Sequence, residues 1–232
     1  MPKNWTPLHF AAFNGDEQQV ADLWKQDKAM IDLRANDGST AIHCAALNGH
    51  LNIVAKLSAL RPDLVFAGEY KGATVLHCAA IRNHVPVIEY LLAQYPALID
   101  AVADDNMTVL HCAAAKGHLE AVRVFMNAQP TLVTRVMLHG LSPLHLAAQH
   151  GHTDVIKFAV QSNPELFYQK NRQWKHIIAL CSIQRPDCNG CLLDDGMPKS
   201  HHSSHCRSKQ NCFVHRDAMQ AHRYGAMFAW FR

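Results

Sequence analysis

Apolar and polar positions recur along the first three quarters of the chain with a fixed period. Thr6-Pro7-Leu8-His9, Thr40-Ala41-Ile42-His43, Thr74-Val75-Leu76-His77, Thr108-Val109-Leu110-His111 and Ser142-Pro143-Leu144-His145 are each 34 residues apart, and each is followed after one residue by Ala-Ala. A hydroxyl at the head of such a run caps the free N–H groups of a helix, and Pro fits its first turn. Leu and the paired alanines then face a neighbour at close range. The run stops at Gly15, Gly49, Asn83, Gly117 and Gly151, again 34 apart, where a helix ends on a left-handed residue; asparagine is the next-best residue there after glycine. The pattern predicts a short first helix in each of five units.

A second helix follows in every unit. Val20, Val54, Ile88, Val122 and Ile156 stand in register, with Leu23, Leu57, Leu91, Phe125 and Ala159 three residues later, a helical spacing that predicts a buried seam. Pro62, Pro96, Pro130 and Pro164 recur at the same period, each with Leu or Phe two or three residues on, so a fixed and partly buried turn should end the second helix. One such helix pair cannot bury both its faces. Stacking supplies the core, and stability becomes a sum of units and interfaces.

These residues resemble the ankyrin repeat, whose signature is Thr-Pro-Leu-His-x-Ala at a period near 33. The resemblance covers roughly Asn4 to Lys170 and implies an all-α solenoid of helix-turn-helix units joined by hairpin loops. Five repeats are expected over 4–170. Residues 171–185 read as a degenerate sixth, capping repeat, with His176-Ile177-Ile178-Ala179-Leu180-Cys181-Ser182 in the place of the signature. Residues 186–232 read as a small Cys/His-rich tail.

Composition changes this picture little. The chain has 232 residues, 49% hydrophobic and 18% charged, with a net charge of +3. Fifteen basic and fifteen acidic side chains balance as far as Gln184, and the excess lies in the last 48 residues. A nucleic-acid groove normally shows a strong basic excess, so none is expected. Met1-Pro2-Lys3-Asn4-Trp5 lacks the apolar core of a signal peptide, and no stretch reaches the ~18 apolar residues that cross a bilayer. The expected location is cytoplasmic, or a host cytosol if the protein is a secreted effector, and the expected state is a monomer.

Histidine and cysteine are the unusual entries, at 17 and 8. Nine histidines fall on the repeat: His9, His43, His77, His111 and His145 in the signature, and His50, His84, His118 and His152 after the helix end. The signature imidazole can bond the capping hydroxyl and the neighbouring loop, which predicts a polar ladder along the stack. Cys44, Cys78 and Cys112 share one position with Phe10 and Leu146 and read as small buried hydrophobes.

The other five cysteines, from Cys181 to Cys212, crowd into the last 52 residues with five histidines. Clustered Cys and His without a signal peptide point to metal rather than disulfides. Cys188-x2-Cys191, with Asn189-Gly190 allowing a tight turn, can place two thiolates on one structural zinc ion, and His205, Cys206, Cys212 and His215 are the candidates to complete it. The tail also resembles the cysteine-rich region of the Asp-His-His-Cys protein palmitoyltransferases, through Cys188-x2-Cys191-Leu192, Pro198, His205-Cys206, Cys212 and Asp217. That likeness implies one zinc held by Cys188, Cys191, His205 and Cys212. Lys209 replaces a cysteine of that family, and Ala218-Met219-Gln220 stand where it has His-His-Cys, so the acyl-accepting thiol is missing. The terminal Tyr224 to Phe231 run is aromatic and uncharged, and is expected to dock on the open end of the stack.

No nucleophile elbow, phosphate-binding loop or paired carboxylates are present. The expected function is therefore not enzymatic: a scaffold or adaptor that binds a partner protein through the concave surface. The alternatives are an acyl-transfer or hydrolytic enzyme using a tail Cys/His pair, and an effector. The non-repeating positions predict the contact surface. At the loop tips these are Arg34, Asn36, Asp37, Glu69, Tyr70, Lys71, Asp104, Asp105, Met137 and His139, and at the ends of the first helices Asn48, Arg82, Lys116 and His150.

Overall fold

A computed structural model describes residues 4–163 and Leu166. Every described residue lies in one unit, Met1–Asn189. The expected sixth repeat and the tail fall outside the described residues.

Ten α-helices form five pairs among the described residues: α1 (Pro7–Asn14) with α2 (Glu17–Gln26), α3 (Ala41–Leu47) with α4 (Leu51–Leu60), α5 (Val75–Ile81) with α6 (Val85–Gln94), α7 (Val109–Lys116) with α8 (Leu119–Ala128), and α9 (Pro143–Gln149) with α10 (Thr153–Ser162). First helices pack on first helices and second helices on second helices along the stack. The expected seam is present, since Val20, Val54, Ile88, Val122 and Ile156 are all buried, as are Leu57, Leu91, Phe125 and Ala159. Leu23 is only half-buried. It belongs to the first unit, where no earlier unit stands beside α2 among the described residues.

The three recurrent prolines among the described residues each open a 3-10 turn: Pro62–Val65, Pro96–Asp100 and Pro130–Thr134. The turn swings Leu64, Leu98 and Leu132 into the core. In the first unit Lys28 takes the proline's place, and the Asp27 side chain accepts from the Ala29 N–H to start the turn Lys28–Asp32. Between units the chain makes a tight hairpin. One of these closes as a two-residue antiparallel ladder, β1 (Val102–Ala103) with β2 (Met107–Thr108), the small exception to an all-α fold.

Candidate interaction surface

Two histidine ladders fix the frame on which any surface must sit. In the first, the backbone N–H of each capping residue donates to Nδ1 of the signature histidine, from Thr40 to His43 at 3.4 Å and from Thr108 to His111 at 3.2 Å. Nδ1 is therefore the bare nitrogen and Nε2 carries the proton. That proton goes to a carbonyl of the next hairpin: Ser39 for His9, Ala67 for His43, Met107 for His77 and Leu141 for His111, at 3.0 to 3.2 Å. Burial pushes His43, His77 and His111 down to about 4, so these imidazoles are neutral in the folded protein. The expected ladder is present.

The second ladder runs along the other end of the first helices. Nε2 of His50, His84, His118 and His152 donates to the carbonyls of Phe13, Leu47, Ile81 and Ala115, each 37 residues earlier, at 2.9 to 3.0 Å. This satisfies a helix-end carbonyl that would otherwise be an orphan. The ring lies so close that a Cβ on Gly15, Gly49 or Gly117 would fall within 2.4 to 2.5 Å of it. These glycines thus serve inter-repeat packing as well as the left-handed helix end, a role that the 34-residue spacing by itself did not reveal.

The three described thiols face inward. Burial pushes Cys44 and Cys112 up to about 12 and raises Cys78 well above its usual value. Such thiols stay protonated near neutral pH and are poor nucleophiles. Among the described residues, no group of three or more His, Cys, Asp or Glu could hold a metal ion. The expected zinc ligands Cys188, Cys191, His205 and Cys212 lie outside the described residues.

The expected contact residues separate into distinct sets. Met137 is 5% exposed and sits in the core, so it is not an accessible anchor. Its position in the repeat is shared by Ala35 and Ala103, both buried, and by Glu69. Glu69 is correspondingly turned inward, where its carboxylate accepts from the Cys78 thiol at 2.9 Å; burial, with Asp37 adding to it, pushes it up to about 7. Both positions were expected at exposed tips, but each hairpin folds this residue back over the following first helix.

Several others are occupied within the stack. Arg34 donates to the Gly68 carbonyl at 3.0 Å and so ties one tip to the next. Asp37 accepts from the Ser39 N–H and hydroxyl at 2.9 and 2.6 Å, shaping its own turn. Asn36 accepts from Asn4 at 3.1 Å, and Asn48 donates to the Phe13 carbonyl at 2.7 Å. Lys71 and Asp105 are held at φ 63° and 61° inside their hairpins. Asp104, Arg82 and His150 are exposed and Lys116 is half-buried. The Tyr70 and His139 side chains lie outside the described set.

Exposed apolar groups complete the surface. Val102, Val136 and Leu138 are 44%, 52% and 45% exposed, all on the tips of the third to fifth units. No helix among the described residues is long and apolar enough to cross a membrane.

Comparison with known proteins bears on the whole stack. Profiles described as ankyrin repeats match residues 1–66 (three copies), 76–125 (many copies) and 139–170. A search of curated proteins found no match. Among solved structures, a chain from the complex of a predatory endopeptidase of Bdellovibrio bacteriovorus with an immunity protein is similar at a TM-score of 0.67 and 22% identity, over 78% of this chain and 95% of that one. That likeness concerns the fold. With its signature threonines, histidines and glycines on one 34-residue lattice and three profiles matching in succession, the chain belongs to the ankyrin-repeat family.

Proposed function

We propose that the repeats form a protein-binding module that holds a partner against the loop tips and the ends of the first helices. One observation carries this reading. On a frame whose buried positions repeat almost without variation, the accessible side chains Arg82, Asp104, Leu138 and His150 differ from those at the same position of the neighbouring units. Two hydrogen-bonded ladders keep that frame rigid, which lowers the conformational entropy lost on binding. The inward, protonated thiols argue for recognition rather than covalent chemistry in the repeats.

The experiment is affinity capture with the full chain as bait. Partners retained by the wild type should be lost from a variant carrying Arg82→Ala, Asp104→Ala, Val136→Ser and Leu138→Ser, while its circular dichroism and melting stay unchanged. Identical capture by both proteins would remove these faces from the account.

A further inference from the structure

The hairpin between the second and third units carries a carboxyl where the other hairpins carry an apolar side chain. Around Ala35 the turn closes with two backbone bonds, from the Ala35 N–H to the Ser39 carbonyl at 2.8 Å and from the Gly38 N–H to the Ala35 carbonyl at 2.9 Å. Met137 makes the equivalent pair with Leu141 and Gly140 at 2.9 and 3.0 Å, and Glu69 makes it with Ala73 and Gly72 at 2.8 Å. The turn therefore needs no carboxyl. What the carboxyl adds is a tie to the next first helix, since the Cys78 thiol of α5 donates to it at 2.9 Å. The two arms of this hairpin also approach closely, and a Cβ on Gly68 would stand 2.9 Å from the Gly72 Cα.

The charged and titratable groups around Glu69 decide which form it holds. On the preceding hairpin Asp37 disfavours a carboxylate, while Arg34 is engaged by the Gly38 and Gly68 carbonyls at 3.3 and 3.0 Å. From the first helices, the Cys44, Cys78 and Cys112 thiols stay protonated. His43 donates to the Ala67 carbonyl at the foot of the hairpin at 3.0 Å and is neutral, as is His77. On the following hairpin Asp104 stands against Gly72, its Oδ1 3.7 Å from the place of a Cβ. Lys71 belongs to the same turn as Glu69 and is left-handed at φ 63°. Burial and then Asp37 outweigh the bond from the thiol, so the closed hairpin pushes this carboxyl up to about 7 from an ordinary value of 4.5.

We propose that the Glu69 hairpin is a proton-controlled latch on α5. Protonated, the carboxyl stays over Cys78 and the hairpin is closed. When its O–H bond breaks and the proton passes to water, the carboxylate turns out to solvent, the turn lifts and the Cys78 thiol is uncovered. Lifting the turn also parts the Gly68 carbonyl from Arg34, so two neighbouring tips come apart together. The hairpins of Ala35, Ala103 and Met137 hold no titratable side chain at this place and stay closed. The closed form binds more protons than the open one, so the open population rises with pH between 4.5 and 7 and levels off above 7. From pH 6 to pH 8 that rise is about tenfold. The latch is independent of what the surface binds.

The test labels the full chain with methyl methanethiosulfonate from about pH 6 to about pH 8 and follows Cys78 and Cys112 separately by peptide mass spectrometry. Cys112 takes the same place in its helix as Cys78, with Ala103 instead of a carboxyl in the hairpin before it. The ratio of their labelling rates therefore cancels the pH dependence of thiol chemistry, which is common to both. In the wild type the Cys78 to Cys112 ratio should rise about tenfold over this range, with most of the rise complete near pH 7.5. Glu69→Gln, which has no proton to lose, should hold the ratio flat, with melting as the folding control. If that variant does not fold, Glu69→Ala takes its place and should give the same flat ratio. A wild-type ratio that stays level or falls with pH overturns the latch, and so does an equal rise in the folded variant.

Discussion

Glu69 stands where three other units place a buried Ala35, Ala103 or Met137. A carboxyl there must surrender hydration, and its one described hydrogen bond comes from a thiol, a weak donor. The folded protein therefore favours the protonated form, with the group raised from 4.5 to about 7. For an acid with a raised folded value, the folded state binds more protons than the unfolded state between these limits, so stability falls as pH rises from 4.5 to 7 and the penalty is complete above 7. Glu69→Ala, which restores the alanine of two other units, should raise the melting temperature by roughly 2–4 °C at pH 8, with the gain shrinking toward zero near pH 4.5. Thermal unfolding of both proteins across that range checks it; a gain independent of pH would mean that packing, and not the charge, sets the effect.

Within a single helix pair the determinants are local, and this is why so much was legible. A capping hydroxyl, its histidine three residues on and the helix-ending glycine all act within one turn, and all recur at a fixed offset. What the offset did not show was contact between units. Gly49 and His84 are each periodic, yet only the stack reveals that the imidazole occupies the space of a missing Cβ. The burial of Met137 and the inward turn of half-buried Glu69 were similarly hidden, because they depend on how the hairpin folds back; the alanines at 35 and 103 were the available signal. Asn83 is the departure with a measurable cost. It holds φ 59° with a side chain, and its Oδ1 is buried without a hydrogen-bond partner, while His118 still reaches the Ile81 carbonyl at 2.9 Å. Removing both faults, Asn83→Gly should stabilise the protein by about 1 kcal/mol, an increase in the urea midpoint at constant slope. Gly49→Ala should do the opposite by about 2 kcal/mol, since it adds left-handed strain and displaces the His84 ring from the Leu47 carbonyl at 2.9 Å. If Gly49→Ala unfolds at the wild-type midpoint, the close approach is not what holds glycine there.

Across the whole stack, the signature ladder makes stability depend on pH in a window that can be told apart from ordinary acid unfolding. His43, His77 and His111 fall from 6.5 to about 4 and His9 moves the same way, chiefly through burial. Below 6.5 the unfolded chain takes up protons that the folded chain refuses, so stability is complete above 6.5 and is lost as pH falls toward 4. Glu69 acts in the reverse sense over 4.5 to 7, but it is one group against four. Glu17 and Asp63 are lowered chiefly by hydrogen bonds, from Lys56 and Asn52 and from Arg61 respectively, so their contribution is lost only as pH falls below their ordinary values of 4.5 and 3.8, and it is screened by solvent. Each signature imidazole from His9 to His111 also bonds the hairpin that follows its own helix pair, so protonating one loosens the junction with the next unit and the loss is shared along the stack. Urea midpoints should accordingly stay level from pH 8 to 7 and drop steeply between 6.5 and 4. His77→Gln should lower stability at pH 7.5 by about 2 kcal/mol through the lost Met107 bond, and should make the fall on acidification shallower. A wild-type midpoint that stays flat to pH 4.5, or a variant with an equally steep fall, would show that the buried imidazoles do not govern acid stability.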